Sequence, residues 1–460
     1  MIELLTHRAH ASKVLRLGLP LVGSHLAQIA IHLTDTVMLG RYSVEALAGQ
    51  VLGATFFFVI FIVGSGFALA VMPMVARAEA AQDAREVRRV TRMGLWISVV
   101  YGLVMVAPLW WSEPLFRAMG QTEAAATTAG AYLRIAGWAL VPALLVMVLK
   151  SYLSALERTQ IVLWVTVAAV LLNIGVNWLL IFGRLGFPEL GVRGAAIASL
   201  AVNVAASGAL AVYAAWMRKG HDLFARLWRL DGQALLGLIR VGAPIGLTNL
   251  AESGLFAAST VMMGWLGTVP LAAHGVVMEL SSITFMIHLG ISNAATIHAG
   301  QAIGRRDAAN LRRGALTAVA LSGCVALAAV AAFLAFPHEL VGLFIGEKVP
   351  DRAAVIEIGA LLMIGAGLFQ VMDGAQIMAL GLLRGVQDTV VPLLIAVLCY
   401  WGLGISASYV LGFTLGYGGI GIWLGLAIGL AGAATLLMLR FLRWSGRYAR
   451  ACQPDAEATA

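Results

Sequence analysis

The sequence predicts an all-α integral membrane protein, with twelve transmembrane helices in two six-helix lobes related by an internal repeat. Three observations lead there. Apolar runs of about 20 residues, the length that crosses a hydrocarbon core as a helix, recur from one end of the chain to the other. Of the 460 residues, 60% are hydrophobic and 12% are charged. That is about half the charged share of a soluble domain and leaves no room for an independent soluble domain of ordinary size. Finally, the second half of the chain repeats the first in register.

Reading the apolar runs between charged breaks gives spans near 13–39, 47–76, 92–112, 127–150, 160–182 and 192–217. A second set lies near 236–265, 270–302, 313–336, 354–382, 390–412 and 418–442. These define an N-terminal lobe over 1–217, a linker over 218–235, a C-terminal lobe over 236–443 and a tail over 444–460. The opening residues show no short apolar core followed by a small-residue cleavage site, so the first span is expected to direct insertion without a cleaved signal peptide. An even number of spans puts both termini on one side. Lys and Arg divide 24 to that side and 7 to the other, out of 31, which marks it as cytoplasmic by the positive-inside rule. Lys150 and Arg384 are counted with the cytoplasmic set. The segment HDLFARLWRL at 221–230 reads either as an amphipathic stretch on the inner membrane surface or as a solvated linker. The net charge of +8 sits in these short connections rather than in a nucleic-acid-binding patch. The three cysteines, Cys324, Cys399 and Cys452, have neither metal-ligand nor disulfide spacing.

The repeat is legible without gaps over 15–49 and 239–273. At an offset of 224, Arg16 falls on Arg240, Gly18 on Gly242, Pro20 on Pro244 and Gly40 on Gly264. Thr36-Val37-Met38 falls on Thr260-Val261-Met262, and the next connection aligns Asp83, Arg88 and Arg89 with Asp307, Arg312 and Arg313. Shared hydrophobicity does not produce charged, Gly and Pro identities in one register. Each half holds an even number of helices, so the halves insert the same way round, a plan typical of secondary transporters that work by alternating access.

Polar groups inside the spans carry the chemistry. A charged side chain at mid-bilayer costs about 2.5–3.5 kcal/mol by insertion scales, so each needs a reason. His25, Gln28, His32 and Asp35 step by three or four residues along the first span and share one helix face. Asn173 and Asn177 lie one turn apart in the fifth span, with Thr166 further along that face; Asn249 and Glu252 lie in the seventh; Gln370 and Asp373 lie in the tenth. A carboxyl in an apolar cleft can take up and release a proton near neutral pH. When ionised and flanked by amide oxygens it can hold a small hard cation such as Na⁺. Either property couples a cation gradient to movement of a substrate. The competing reading is interhelical hydrogen bonding that only holds helices together. It is stronger for the Asn pair than for the acids, because a neutral residue would do that at lower cost. Glu279, in the outer part of the eighth span, is a weaker candidate, and His288 and His298 on that span read as satisfied core histidines. Pro20 and Pro244 stand at equivalent points and read as hinges or as static bends. The 17 Met and 17 Phe suit a deformable binding surface, although most are needed for packing and lipid contact. No phosphate-binding loop, HExxH or Ser/His/Asp constellation is present in the sequence, so an enzyme is not expected.

These residues resemble a known family. PLVGSHLAQIAIHLTDTVMLGRYSVEALAG (20–49) and LLRGVQDTVVP (382–392) are similar to multidrug and toxic compound extrusion (MATE) transporters, within them the NorM-type bacterial branch, over about 13–443. The resemblance implies export of lipophilic, often cationic compounds from the bacterial cytoplasmic membrane in exchange for entering Na⁺ or H⁺, with no other cofactor. It implies an N-lobe cation site of Asp35, Asn173 and Asn177 and a C-lobe site of Glu252 and Asp373. Gln28, His32, Asn249, Glu279 and Gln370 are candidates for the substrate surface or the surrounding network, and Pro20 for a hinge. Phe369 stands where some relatives carry an aromatic hydroxyl, which weakens a direct Na⁺ site in the C-lobe and leaves the ion open. One chain suffices for a pathway, so a monomer is expected, in contact with lipid and with cationic or amphipathic small molecules. The alternative within the same superfamily is a flippase for lipid-linked saccharides, whose cleft needs basic residues for pyrophosphate; the acids found here suit cationic cargo. A receptor or membrane-embedded enzyme lacks a supporting cluster.

Overall fold

The structure is a computed structural model that describes residues 7–217, 222–347 and 351–452. Of the linker and tail expected from sequence, 218–221 (with Arg218 and Lys219) and 453–460 lie outside the described residues, as do 1–6 and 348–350. Among the described residues there is no strand, and twelve helices are long and apolar enough to cross a membrane. In chain order they are α1 (His7–Tyr42), α2 (Val44–Ala80), α3 (Ala84–Trp110), α4 (Glu123–Ala155), α5 (Thr159–Phe182) and α6 (Val192–Met217). The second set is α7 (Gly232–Trp265), α8 (Thr268–Gly304), α9 (Ala308–Ala335), α10 (Arg352–Gly385), α11 (Val390–Thr414) and α12 (Gly418–Cys452). The expected helices are all present and most run longer than their apolar runs, because helix ends continue through charged residues into caps. Ser43, Asp83 and Asp307 accept hydrogen bonds from the backbone N–H groups of Ala46, Glu86 and Asn310, satisfying donors that an uncapped helix leaves open.

Three details go beyond the sequence reading. Two short helices, Ser112–Ala118 and Pro337–Gly342, occupy equivalent places after α3 and α9. The 221–230 segment forms turns rather than a helix over its described part, with Leu223 buried and the Leu227 carbonyl accepting from the Trp96 indole at 2.7 Å. In α11, Leu398–Ile405 and Val410–Thr414 are π-helical, a widening that apolar periodicity does not reveal.

The repeat is written into the backbone. After α2 and after α8, the same three hydrogen bonds close the turn at an offset of 224: Asp83 to Ala78 matches Asp307 to Ala302. Gln82 and Arg306 in those turns both have left-handed backbone, φ 61° and 55°. After α4 and α10 the pattern recurs at an offset of 230, with Glu157 and Gln387 at φ 61° and 62°.

Two compact units result: Gly23–Gly246, and Met1–Val22 with Leu247–Ala460. In the first unit α4 packs against α2, α3 and α6, and α5 packs against α6. A Cβ on Gly66 of α2 would run into the backbone at Gly242 and Gly246 of α7, so the glycines let these two helices approach closely. In the second unit α10 plays the part of α4, packing against α8, α9 and α12, with α12 against α11. The first turns of α1 belong to this unit: Lys13 Nζ donates to Gln301 Oε1 at 2.8 Å, and the His10 ring bonds Asn310 Oδ1 at 2.8 Å. Large apolar side chains such as Trp164, Leu171, Val212 and Leu327 are exposed on the helix surfaces, as a lipid-facing exterior requires. The chain is a multi-pass integral membrane protein.

Candidate functional site

Each unit holds a buried acid cluster. In the Gly23–Gly246 unit, Asp35 of α1 is 4% exposed. Its Oδ1 accepts from Asn177 Nδ2 at 2.6 Å and from Asn173 Nδ2 at 3.1 Å. Asn177 also donates to Asn173 Oδ1 at 3.1 Å. The two amides, four residues apart on α5, reach one carboxylate because i and i+4 share a helix face. Ser199 of α6 and Tyr132 of α4 lie close enough to Asp35 to act on it electrostatically, and Gln50 stands beside Tyr132. Asn177 Oδ1 is buried without a hydrogen-bond partner.

In the other unit, Glu252 of α7 is 7% exposed and Asp373 of α10 is 1% exposed, and the two acids act on each other electrostatically. Gln376 lies beside Glu252 and donates to the Tyr400 hydroxyl. Arg384 of α10 donates to Asn249 Oδ1 at 2.7 Å and is within electrostatic reach of Glu252. Gln370 Nε2 donates to the Ser281 carbonyl at 3.4 Å. Four oxygens here are buried without a hydrogen-bond partner: Glu252 Oε1, Asp373 Oδ1, Gln370 Oε1 and Gln376 Oε1. Buried polar atoms are normally paired, and a set of orphaned oxygens is the donor chemistry of a small hard cation.

The other candidates separate. Gln28 is half-buried and lies beside His25; His32 is exposed but near Asp35; Asn249 is held by Arg384; Glu279 is exposed and joins neither cluster. Pro20 lies within unbroken α1, fifteen residues before Asp35 and so about 22 Å along the axis. His288 bonds Ser322 at 2.8 Å, and its ring covers Gly374. Phe369 packs against Phe256 and Trp423, with ring centroids 5.9 and 5.3 Å away, while the Tyr400 hydroxyl of α11 lies within electrostatic reach of Glu252 and Asp373.

Sequence reasoning missed Tyr400, Gln376, Tyr132, Gln50, Ser199, Lys150 and Arg384. Gln376 was within reach, since Gln370, Asp373 and Gln376 step by three. Tyr400 was not, because it sits in a π-helical stretch whose register differs from that of an α-helix. At the repeat offset of 224, Glu252 corresponds to Gln28 and Asp35 to Ser259. The acids of the two halves therefore stand two helical turns apart in the repeat frame.

The fold is that of a polytopic, all-helical membrane protein built from two like halves. The MatE family model matches residues 20–179 and again 244–410, and its second match begins 224 residues after its first, which is the offset of the repeat. This chain belongs to the MatE family, a family of membrane transporters rather than enzymes. It is 42% identical over 436 residues to the probable multidrug resistance protein NorM of Rhizobium meliloti, covering 94% of this chain and 93% of that one. It is 35% identical to the protein of the same name from Synechocystis, covering 94% and 95%. Among solved structures, it resembles a crystal structure of MATE in complex with MaL6, at 22% identity and a TM-score of 0.87 over 96% of this chain and 97% of that one. A MOP superfamily transporter from Pyrococcus furiosus shares the fold at a TM-score of 0.86 and 22% identity, covering 95% of this chain and 96% of that one.

Proposed function

We propose that the protein is a cation-coupled antiporter that exports lipophilic, often cationic drugs and toxic compounds by alternating access of its two lobes. Entering H⁺ or Na⁺ is bound at Asp35, Asn173 and Asn177 in the N-lobe and at Glu252 and Asp373 in the C-lobe. The observation that carries the reading is the pair of buried acid clusters, with unpartnered oxygens, in helices that cross the membrane. Such groups face a function rather than lipid. The names of the relatives, multidrug resistance proteins at 35–42% identity over nearly the full length, support the substrate class. The protein works as a monomer in the bacterial cytoplasmic membrane, with both termini inside, and Pro20 serves α1 as a hinge. The 24-to-7 division of Lys and Arg supports that orientation.

The test is transport of a fluorescent lipophilic cation by purified protein in liposomes, with Na⁺ and pH gradients imposed separately. Dye movement under one gradient establishes antiport and names the ion. No movement under either, with folded protein, favours lipid-linked saccharide flipping instead.

A further inference from the structure

Lys150 is a basic group that the cation clusters do not use. Lys150 of α4 lies five residues before the end of its helix, and its side chain turns inward among the helices. Its ammonium donates to Ser24 Oγ of α1 at 3.2 Å. Ser24 bonds Thr166 Oγ1 of α5 at 3.0 Å, and Thr166 donates its own proton to the Val162 carbonyl at 2.7 Å. The direction of this chain is therefore fixed. Thr166 has spent its proton, so Ser24 donates to Thr166 and offers Lys150 a lone pair. Ser24 and Thr166 are both buried, and Thr166 lies seven residues into α5, about 10 Å from its start.

An ammonium has three N–H donors and no acceptor. Lys150 spends one on Ser24 and has no other hydrogen-bond or ion-pair partner among the described residues. The acid of this unit, Asp35, is eleven residues beyond Ser24 on α1, about 16 Å along the axis. The other titratable group in electrostatic reach of Lys150 is His25, which is not an acid. A half-buried charge of this kind is costly unless paired. Nor does helix packing require it. At the offset of 230 that relates the turns after α4 and α10, Lys150 corresponds to Leu380, which is apolar and fully buried. The second half builds the same helix with a leucine at that point.

We propose that Lys150, backed by Ser24, is an anion-recognition point for an oxyanion head, carboxylate or phosphate, on an amphipathic molecule. Two spare N–H donors fit the two oxygens of such a head, in charge-assisted bonds. The assignment rests on the reading of the chain as an exporter, and it widens the cargo from cations to zwitterionic and anionic amphiphiles. A phospholipid headgroup offers the same chemistry from the membrane side, so the experiment separates the two sources.

Full-length protein is purified in a phosphate-free maltoside detergent, and binding of pyrenebutyrate, its methyl ester and a lipophilic cationic dye is followed by fluorescence anisotropy. Parallel titrations use phosphatidylglycerol as competitor. Wild type and K150R are expected to bind pyrenebutyrate, and K150Q to bind it about ten-fold more weakly. The ester should bind all three alike, and the cationic dye should not distinguish K150Q from wild type. S24A, which keeps the charge and removes its one acceptor, should retain carboxylate binding. If phosphatidylglycerol binds in a Lys150-dependent way and pyrenebutyrate does not, the head belongs to a lipid. Equal pyrenebutyrate binding by wild type and monodisperse K150Q, with no Lys150-dependent lipid binding, overturns the proposal, because the ammonium is then merely hydrated. Failure of the wild type to bind the cationic dye counts against the exporter reading and leaves the carboxylate comparison standing.

Discussion

Replacing Asp35 by asparagine removes the charge of the N-lobe cluster while keeping its shape. Asp35 Oδ1 accepts from both amides, at 2.6 and 3.1 Å. An asparagine whose carbonyl oxygen takes that place keeps both bonds and turns its own amide towards Ser199. The change is from charge-assisted to neutral hydrogen bonds, a loss of about 1–2 kcal/mol, partly offset because a buried charge is no longer held in the membrane. Asp35→Ala leaves two buried amide donors without their acceptor, at about 1–3 kcal/mol each. The alanine variant should therefore be less stable than the asparagine variant by at least about 2 kcal/mol. Gradient-driven dye efflux in liposomes should be abolished in both, and thermal unfolding in detergent should separate them. Wild-type efflux by Asp35→Asn would remove this carboxyl from the coupling mechanism. Equal stability of the two variants would show that the Asn173–Asn177 pair does not lean on it.

Four further outcomes follow from the same structure. Glu252→Gln and Asp373→Asn should insert and fold but lose coupled efflux, checked by comparing membrane-inserted protein with transport; loss of inserted protein would instead mark the pair as helix glue. Tyr400→Phe removes the partner of the Gln376 amide and should cost about 1–2 kcal/mol and weaken ²²Na⁺ or proton binding in the purified protein. Gly66→Ala pushes a methyl into the backbone at Gly242 and Gly246 and should destabilise by about 1–3 kcal/mol, read as a lowered midpoint of thermal unfolding. The fourth concerns pH. Arg89 grips Asp231 with bonds of 2.6 and 3.0 Å and, with the Ala234 N–H, holds its carboxyl down at about 2. A depressed carboxyl stabilises the fold fully above its unfolded value of about 3.9, and that contribution fades as pH falls through about 2. Asp231→Asn should therefore be less stable than wild type at neutral pH, and the gap should close between about pH 4 and 2.

The twelve spans, the repeat and the acids were legible in the sequence because each depends on local quantities. A span is a length of apolar residues, the repeat is a register of identities, and Asp35 or Asp373 stands out as a charge within such a run. The join of Asp35 with Asn173 and Asn177 was expected only through the family resemblance. The residues themselves show two polar faces, on helices 138 and 142 positions apart, and do not state that those faces meet. Lys150 and Arg384 show the limit more sharply. Both lie near helix ends, where a long basic side chain reaches either the aqueous interface or the helix interior. By sequence they counted with the cytoplasmic charges. Tertiary structure turned them inward, because Ser24, 126 positions from Lys150, and Asn249, 135 positions from Arg384, present oxygens there. Tyr400, the partner of Gln376, sits in the π-helical stretch of α11, which apolar periodicity does not reveal. Tertiary structure also drew the compact units through the interiors of α1 and α7, after Val22 and Gly246. Hydrophobic length and periodicity are properties of one segment, whereas the partner of a polar atom is set by whichever other helix brings an oxygen within 3 Å of it.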